Sequence, residues 1–248
     1  MKKALFTDLD NTLIFSERFV KQFTNVERIP NSLVAIDKYT RSDGAKTASY
    51  INAELLLKLQ ETCKHSEDNL FIPVTSRSIR RYTDITPLAK PFRYAVTSGG
   101  GNVLIDGKVD LEYRETLKID TAELQEIAQV FYGKVVDDTY VMAEMVDWFK
   151  FQPFVEEYDC LFDLKGRVNI LPKKIDKSTG VQYLVNKLDI NRIMCCGDTE
   201  VDLEMLDAAN KACVPATSMI AFREHIYGGY VIYNPLSTDM FEIFKSFE

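Results

Sequence analysis

The sequence predicts an α/β fold: a mostly parallel sheet covered by helices on both faces, with a small α+β unit inserted into it. Three observations carry that expectation. Apolar strand-like runs alternate with helical periodicities through the first 113 residues, and that rhythm builds parallel sheets with crossover helices. The rhythm breaks near Glu115 and resumes after about residue 172. Hydrophobic residues make up 46% of the 248, enough to bury a sizeable core.

The first strand is Lys3–Leu9, followed by a polar break and a short helix over Ser16–Thr24. Leu33–Tyr39 and Lys46–Ile51 have strand character. Arg41-Ser42-Asp43-Gly44 lies between them, and Asp-Gly is a turn signal, so a β-hairpin flap is expected. Ala53–Thr62 places Leu55, Leu56 and Leu59 on one side of a helix. Leu70–Thr75 is a strand, Ser76–Asp84 a helix and Tyr94–Thr97 a strand. Gly99-Gly100-Gly101 turns the chain into a second hairpin, Asn102–Ile105 with Lys108–Leu111.

In the insertion, Thr121–Tyr132 reads as a helix with Thr121 as its N-cap. Val135–Met145, Trp148–Phe151 and Val168–Leu171 read as strands, while Phe154–Tyr158 fits either state. The α/β rhythm returns with the helix Ser178–Leu188, the strand Arg192–Cys196, the helix Glu200–Ala208 and the strand Lys211–Val214. Val231–Tyr233 and a helix around Met240–Phe247 close the chain. The expected division is residues 1–113 and 173–248 for the main unit and 114–172 for the inserted one.

The net charge of −7 argues against a general nucleic-acid binder, which needs a basic face. It does not oppose a small anionic ligand, because a metal and a few basic side chains can reverse the field inside a cleft. No run of about 18 apolar residues is present to span a membrane. Asp8 and Asp10 interrupt the N-terminal apolar stretch before it reaches signal-peptide length. The five cysteines show no framework spacing, and Cys195 and Cys196 read as reduced core thiols, so a cytoplasmic location is expected.

Four short motifs carry chemistry. Asp8-Leu9-Asp10-Asn11-Thr12-Leu13 ends the first strand. Carboxylates two apart on an extended chain point the same way, into the crevice where open α/β sheets bind ligands. Paired there, they need a cation or a shared proton. Gly197-Asp198-Thr199-Glu200-Val201-Asp202 follows an apolar strand and opens a helix, so Asp198 and Asp202 share one face. Acids in a first helical turn also favour the macrodipole, so this motif has a purely structural reading too. With Asp8 and Asp10 it supplies the oxygen donors Mg²⁺ prefers. Thr75-Ser76-Arg77 places a hydroxyl where it would cap a helix or bind a phosphoryl oxygen. Lys177 precedes a helix and, taken alone, reads as a solvated charge.

In this order, spanning almost the whole chain, the four motifs resemble those of the haloacid dehalogenase superfamily. The resemblance implies a Rossmann-like HAD core and names Asp8 as nucleophile. It names Asp10 as general acid and base, binding metal through its backbone carbonyl. Thr75 becomes the hydroxyl of the second motif, Lys177 the lysine of the third (ahead of Lys173 and Lys174), and Asp198 and Asp202 the acids of the fourth. Mg²⁺ is the implied cofactor, held by Asp8, Asp10, Asp198 and Asp202. Thr12, Ser76 and Arg77 are candidate substrate contacts. The position of the insertion matches a type-2 cap, as in Cof-like, sucrose-phosphate and mannosyl-phosphoglycerate phosphatases. Asn11, Ser76, Gly100 and Val201 depart from the commoner residues of that branch.

The implied activity is Mg²⁺-dependent hydrolysis of a small phosphate monoester, such as a sugar phosphate, through an aspartyl-phosphate. A sugar phosphomutase and a non-catalytic binding protein on the same fold are the rivals. The expected partner is a small phosphorylated metabolite, with neither nucleic acid nor membrane. Arg77, Arg80 and Arg81, at one-turn spacing, could bind a second anionic group or form a solvated helix face. Ser98-Gly99-Gly100-Gly101 lacks a P-loop's Lys-Ser/Thr and reads as a turn. His65 and His225 are isolated, which disfavours a histidine nucleophile. Tyr140, Trp148, Phe149, Phe151 and Phe154 read mainly as core of the insertion.

Overall fold

The computed structural model describes residues 1–40, 44, 46–162, 167–223 and 229–247. Arg41–Asp43 of the expected turn, and His225, lie outside the described residues. The chain runs β1 (Lys3–Thr7), β2 (Phe15–Ser16), α1 (Glu17–Thr24), β3 (Leu33–Thr40), β4 (Lys46–Asn52), α2 (Ala53–Cys63) and β5 (Asn69–Pro73). Next come α3 (Ile79–Thr83), α4 (Thr86–Ala89), β6 (Tyr94–Thr97), β7 (Asn102–Ile105), β8 (Lys108–Val109) and α5 (Leu111–Leu117). The insertion supplies α6 (Thr121–Val130), β9 (Lys134–Val136), β10 (Tyr140–Ala143), α7 (Trp148–Phe151), β11 (Tyr158–Phe162) and β12 (Val168–Pro172). The chain then continues through α8 (Lys177–Leu188), β13 (Arg192–Cys196), α9 (Leu203–Asp207), β14 (Lys211–Pro215), α10 (Met219–Phe222), β15 (Val231–Tyr233) and a closing helix, Asp239–Ser246.

The central sheet has the order β15-β14-β13-β1-β5 and is parallel throughout. A parallel bridge between Val74 and Val96 joins it to the antiparallel β6-β7-β8 hairpin sheet. Buried on both faces, the strands need apolar residues at nearly every position. Leu5, Met194 and Cys196 pack into one core, with Leu55, Leu59 and Phe244. Ala4, Phe6 and Cys195 face the other, with Val181, Leu184 and Met205. All five cysteines are free. No helix among the described residues is long and apolar enough to cross a membrane.

The insertion forms its own four-stranded antiparallel sheet, in the order β11-β12-β10-β9. Leu124, Ile127 and Phe131 of α6 and its C-cap pack on Val141, Val168 and Ile170 to make a third core. Several boundaries differ from expectation. Trp148–Phe151 is a helical turn rather than a strand, because the Asp147 carboxylate accepts from the Phe149 amide and caps it. Asp120, not Thr121, caps α6, accepting from the amides of Ala122 and Glu123. The helix expected from Ser76 begins at Ile79, capped by Ser78, so Arg77 stands before it. Within the insertion's aromatic set, Tyr140 and Phe151 are buried and Phe154 packs against its core, while Trp148 and Phe149 are exposed.

One polar bolt ties the insertion to the main unit. The Asp137 carboxylate, in the β9–β10 turn, accepts from Ser98 Oγ at 2.6 Å and from the Ile79 amide at 2.8 Å. Arg114 donates to the Asp137 carbonyl and to Asn102 Oδ1.

Gly100 brings two distant stretches together. Its φ is +105°, and a Cβ there would lie 1.7 Å from the Asp176 carbonyl oxygen. Only glycine lets the loop after β6 press against the start of α8. The Tyr113 hydroxyl donates to the Gly100 carbonyl from the other side. Gly100→Ala is therefore expected to lower unfolding free energy by about 2 kcal/mol or more, from left-handed strain plus a backbone clash. Urea denaturation measures it, and an unchanged midpoint would contradict the close approach.

Candidate active site

The site assembles where β1, β5 and β13 end. Strand register aligns Thr7 with Cys196 and with Pro73, so the next residues of all three strands meet at one edge. Asp8 leaves β1 there, with its amide donating to the Cys196 carbonyl. Asp198 follows β13 through Gly197. Thr75 follows β5, with its amide on Val96 and its carbonyl accepting from Gly99. Asn11 takes a φ of +64°, so the chain after Asp10 turns sharply and returns through Thr12, a conformation asparagine tolerates better than most residues.

One ammonium lies among three carboxylates. Lys177 Nζ donates to Asp8 Oδ1 and to Asp202 Oδ1, both at 2.6 Å. Lys177, Asp8, Asp198 and Asp202 are all buried. The carboxylates of Asp8, Asp198 and Asp202 each offer an oxygen within 4.8 Å of the others. Thr12 Oγ1 donates to Asp198 Oδ1 at 3.2 Å. Asp202 Oδ2 accepts from the amides of Asp198 and Thr199 and from the Thr199 hydroxyl. Both Asp202 oxygens are thus engaged by the protein, and its direct effect is to hold Lys177 and the Asp198 loop in place. Asp8 and Asp198 are the better-placed acids for a cation.

The electrostatics show too little positive charge. Burial raises the Asp8 pKa well above the carboxylate range; Lys177 opposes this, while Asp202 and Asp198 add to it. Asp198 is pushed up to about 7 by burial and then by Asp202, against Lys177 and the Thr12 hydrogen bond. For Lys177, burial works against the charge, but Asp202 and Asp8 outweigh it and hold the ammonium charged. Three carboxylates facing one ammonium leave a formal charge of about −2, which a divalent cation would balance. The all-oxygen donor set and that charge fit Mg²⁺.

Lys177 is also the first residue of α8. A helix N-terminus disfavours a cation, and Asp176 already caps the helix through a capping box with Thr179. An ammonium buried at that end runs against the local rule, as happens where function selects the residue.

The remaining expected residues fall as follows. Thr75 is buried, and its Oγ1 accepts from the Arg77 amide, leaving its own O–H as a donor. Ser76 is exposed at the same loop. Arg77 is neither an open anion-binding residue nor part of a solvated helix face. It is buried, and its guanidinium is engaged by Asp10 and by Asp37. Arg80 and Arg81 are exposed on α3 and do not join it, because the helix starts after Arg77. Asp10 is half exposed, both its oxygens bound by Arg77.

Sequence reasoning missed Asp37. Its only signal was an acid directly after the apolar run Leu33–Ile36. Asp137 was also missed. A cleft of about 830 Å³, lined by Lys64, Lys90 and Arg93 among others, opens at the opposite end of the sheet from Asp8. Lys64 and Lys90 are the C-caps of α2 and α4, where cations suit the helix dipole.

The family model for haloacid dehalogenase-like hydrolases matches residues 48–216. No curated protein matches the chain in sequence. Many solved structures share the fold, and three illustrate it. A protein from Eubacterium rectale is 15% identical, with a TM-score of 0.66 and all of both chains covered. The sucrose-phosphatase of Synechocystis, solved with sucrose and phosphate, is 16% identical, with a TM-score of 0.62, covering 100% of this chain and 98% of that one. A HAD-superfamily phosphatase from Bacteroides thetaiotaomicron is 13% identical, with a TM-score of 0.61, covering 100% and 95%.

The raised Asp198 gives a pH test. Its protonated form in the folded protein contributes stability that is complete below its ordinary value of 3.8 and is lost as pH rises through about 7. With a chelator present, the melting temperature is expected to fall between about pH 4 and about pH 7 through this group. Asp198→Asn should flatten that slope in thermal melts; an equally steep slope in the variant would remove Asp198 as its source. With its all-oxygen pocket at the carboxyl edge of a parallel sheet and the family match across residues 48–216, the chain belongs to the haloacid dehalogenase-like hydrolases.

Proposed function

We propose that this hydrolase is a Mg²⁺-dependent phosphatase that cleaves a small phosphate monoester through an aspartyl-phosphate on Asp8. The observation that carries the reading is the buried Asp8 carboxylate. One of its oxygens is fixed by Lys177, and Asp198 and Thr12 stand beside it.

A carboxylate repels a phosphate ester, so the site must supply positive charge before it can hold the two together. Asp8, Asp198 and the Asp10 carbonyl would hold Mg²⁺, which when bound offsets ester charge and orients the phosphoryl group. Lys177 fixes Asp8 Oδ1, leaving Oδ2 to attack phosphorus. As the Asp8–phosphorus bond forms, the bond from phosphorus to the leaving oxygen breaks, and Asp10 gives that oxygen a proton. Asp10 then takes a proton from water. The water oxygen bonds to phosphorus, the Asp8–phosphorus bond breaks, and inorganic phosphate leaves. Thr75 supplies a hydroxyl donor and Lys177 a fixed charge to the phosphoryl oxygens.

Residues 114–172 serve as a cap over this site in this reading, held down by the Asp137 bolt. The Synechocystis neighbour, a sucrose-phosphatase, supports a sugar phosphate as substrate.

Purified protein is expected to release inorganic phosphate from a panel of sugar phosphates with Mg²⁺, and to lose that activity in chelator. Asp8→Asn should lower kcat by about 10³-fold or more while circular dichroism stays native. Turnover retained by Asp8→Asn would reject the nucleophile. Isomerised sugar phosphate without phosphate release would identify a mutase instead.

A further inference from the structure

Arg77 joins two carboxylates that come from different elements. Its Nε and Nη2 donate to Asp10 Oδ2 and Oδ1, both at 2.7 Å, and its Nη1 donates to Asp37 Oδ2 at 2.5 Å. The side chains of Arg77 and Asp37 are 8% and 11% exposed, whereas that of Asp10 is 49% exposed. The guanidinium is therefore anchored on its buried side by Asp37 and grips Asp10 at the open edge of the site. A planar fork fixes direction as well as distance, which a lysine would not do. A carboxylate offers about four acceptor sites. The fork takes two, one on each oxygen, so each Asp10 oxygen keeps a second acceptor site.

Asp37 reaches Arg77 because of an irregularity in the hairpin. Ala35 pairs with Tyr50 and Asp37 with Ser49, so Ile36 is an extra residue. The bulge breaks the alternation of the strand, and both Ile36 and Asp37 turn inward. Bulges beside active sites re-aim side chains in this way. The same hairpin is stitched to the loop that follows Asp10, since β4 also pairs with β2 through Phe15 and Ser16. Burial opposes the Arg77 charge, but its hydrogen bonds to Asp10 and Asp37 outweigh that and keep it charged.

We propose that Asp37 is a positioning residue: from the β3–β4 hairpin it anchors Arg77, and Arg77 aims the Asp10 carboxyl at the leaving oxygen, so the hairpin governs the proton-transfer step. This rests on the reading of Asp10 as general acid. The step concerned is the one in which the Asp8–phosphorus bond forms, the phosphorus–oxygen bond breaks and the Asp10 proton passes to the departing oxygen. An alkyl alcohol needs that proton, whereas 4-nitrophenolate leaves without it.

The test measures kcat/KM for an alkyl phosphate and for 4-nitrophenyl phosphate in wild type, Asp37→Ala, Asp37→Asn, Asp10→Asn and Asp8→Asn, with thermal melts to confirm folding. Asp37→Ala is expected to lose about 10- to 100-fold on the alkyl ester and no more than about 3-fold on the aryl ester, a weaker form of the Asp10→Asn pattern. Asp37→Asn, which keeps the shape and an acceptor for Nη1, should recover most of the alkyl rate. Equal losses on both esters, or none on either, would overturn the proposal even if the Asp37 variants are less stable. If wild type hydrolyses neither ester, or Asp8→Asn retains its activity, the phosphatase reading fails and takes this inference with it. An active wild type with a dead Asp8→Asn confines any failure to Asp37.

Discussion

The buried contact between Lys177 and Asp8 is the constraint on which the rest of the structure depends. A carboxylate and an ammonium taken out of water together are stable only if their remaining hydrogen-bonding capacity is met. Here Asp202 meets the lysine, and the Asp198 loop meets Asp202. Removing one partner of such a cluster costs about 3–5 kcal/mol, because it strands the others. The fold is arranged to keep the cluster closed. β1 and β13 are hydrogen-bonded neighbours that deliver Asp8 and, one residue further on, Asp198 to the same edge. Gly100 lets the chain approach the start of α8 closely enough to fix Lys177 there.

That arrangement leaves the site acidic on purpose. A second buried cation would neutralise the carboxylates and make the protein more tolerant of neutral pH. It would also remove the negative charge that would favour a divalent ion. The raised pKa of Asp8 and the value of about 7 for Asp198 are what this choice produces in the protein alone. Only Asp10 of the four motif acids stands half in solvent, and it is the one gripped by an arginine rather than by Lys177. On the proposed reading the division suits two different tasks, with the nucleophile and the acids that would hold a cation in the interior and the proton-transfer group at the mouth.

How much of this was legible in the sequence depended on the range of the forces involved. The acidic and hydroxyl motifs were legible because each is local: an apolar strand that runs into a carboxylate or hydroxyl places that group at the strand edge whatever lies around it, whereas Lys177, which opens a helix, was placed only by the resemblance. The parallel sheet was legible for the same reason, since its strands are buried on both faces and read as continuous apolar runs. Arg77 was misread because its spacing to Arg80 and Arg81 makes a face only if the helix starts at Ser76. Ser78 caps it two residues later. Trp148–Phe151 looked like a strand because aromatic residues favour strands, but Asp147 and the surrounding loop decided for a helical turn.

Asp37 and Asp137 could not be read at all, and the reason is geometric. Asp37 meets a partner 40 residues away and Asp137 meets partners 39 and 58 away. Neither sits in a motif, and the bulge that turns Asp37 inward leaves the strand's composition unchanged. Yet these are the residues through which the hairpin and the insertion touch the catalytic loops. The reacting groups are written into short stretches because chemistry needs fixed residue types at fixed spacing. The groups that connect other elements to them need only reach, and reach is a property of the folded chain. On the proposed reading, the hairpin and the insertion are where substrate choice would be tested first, because there the fold sets contacts that local patterns do not record.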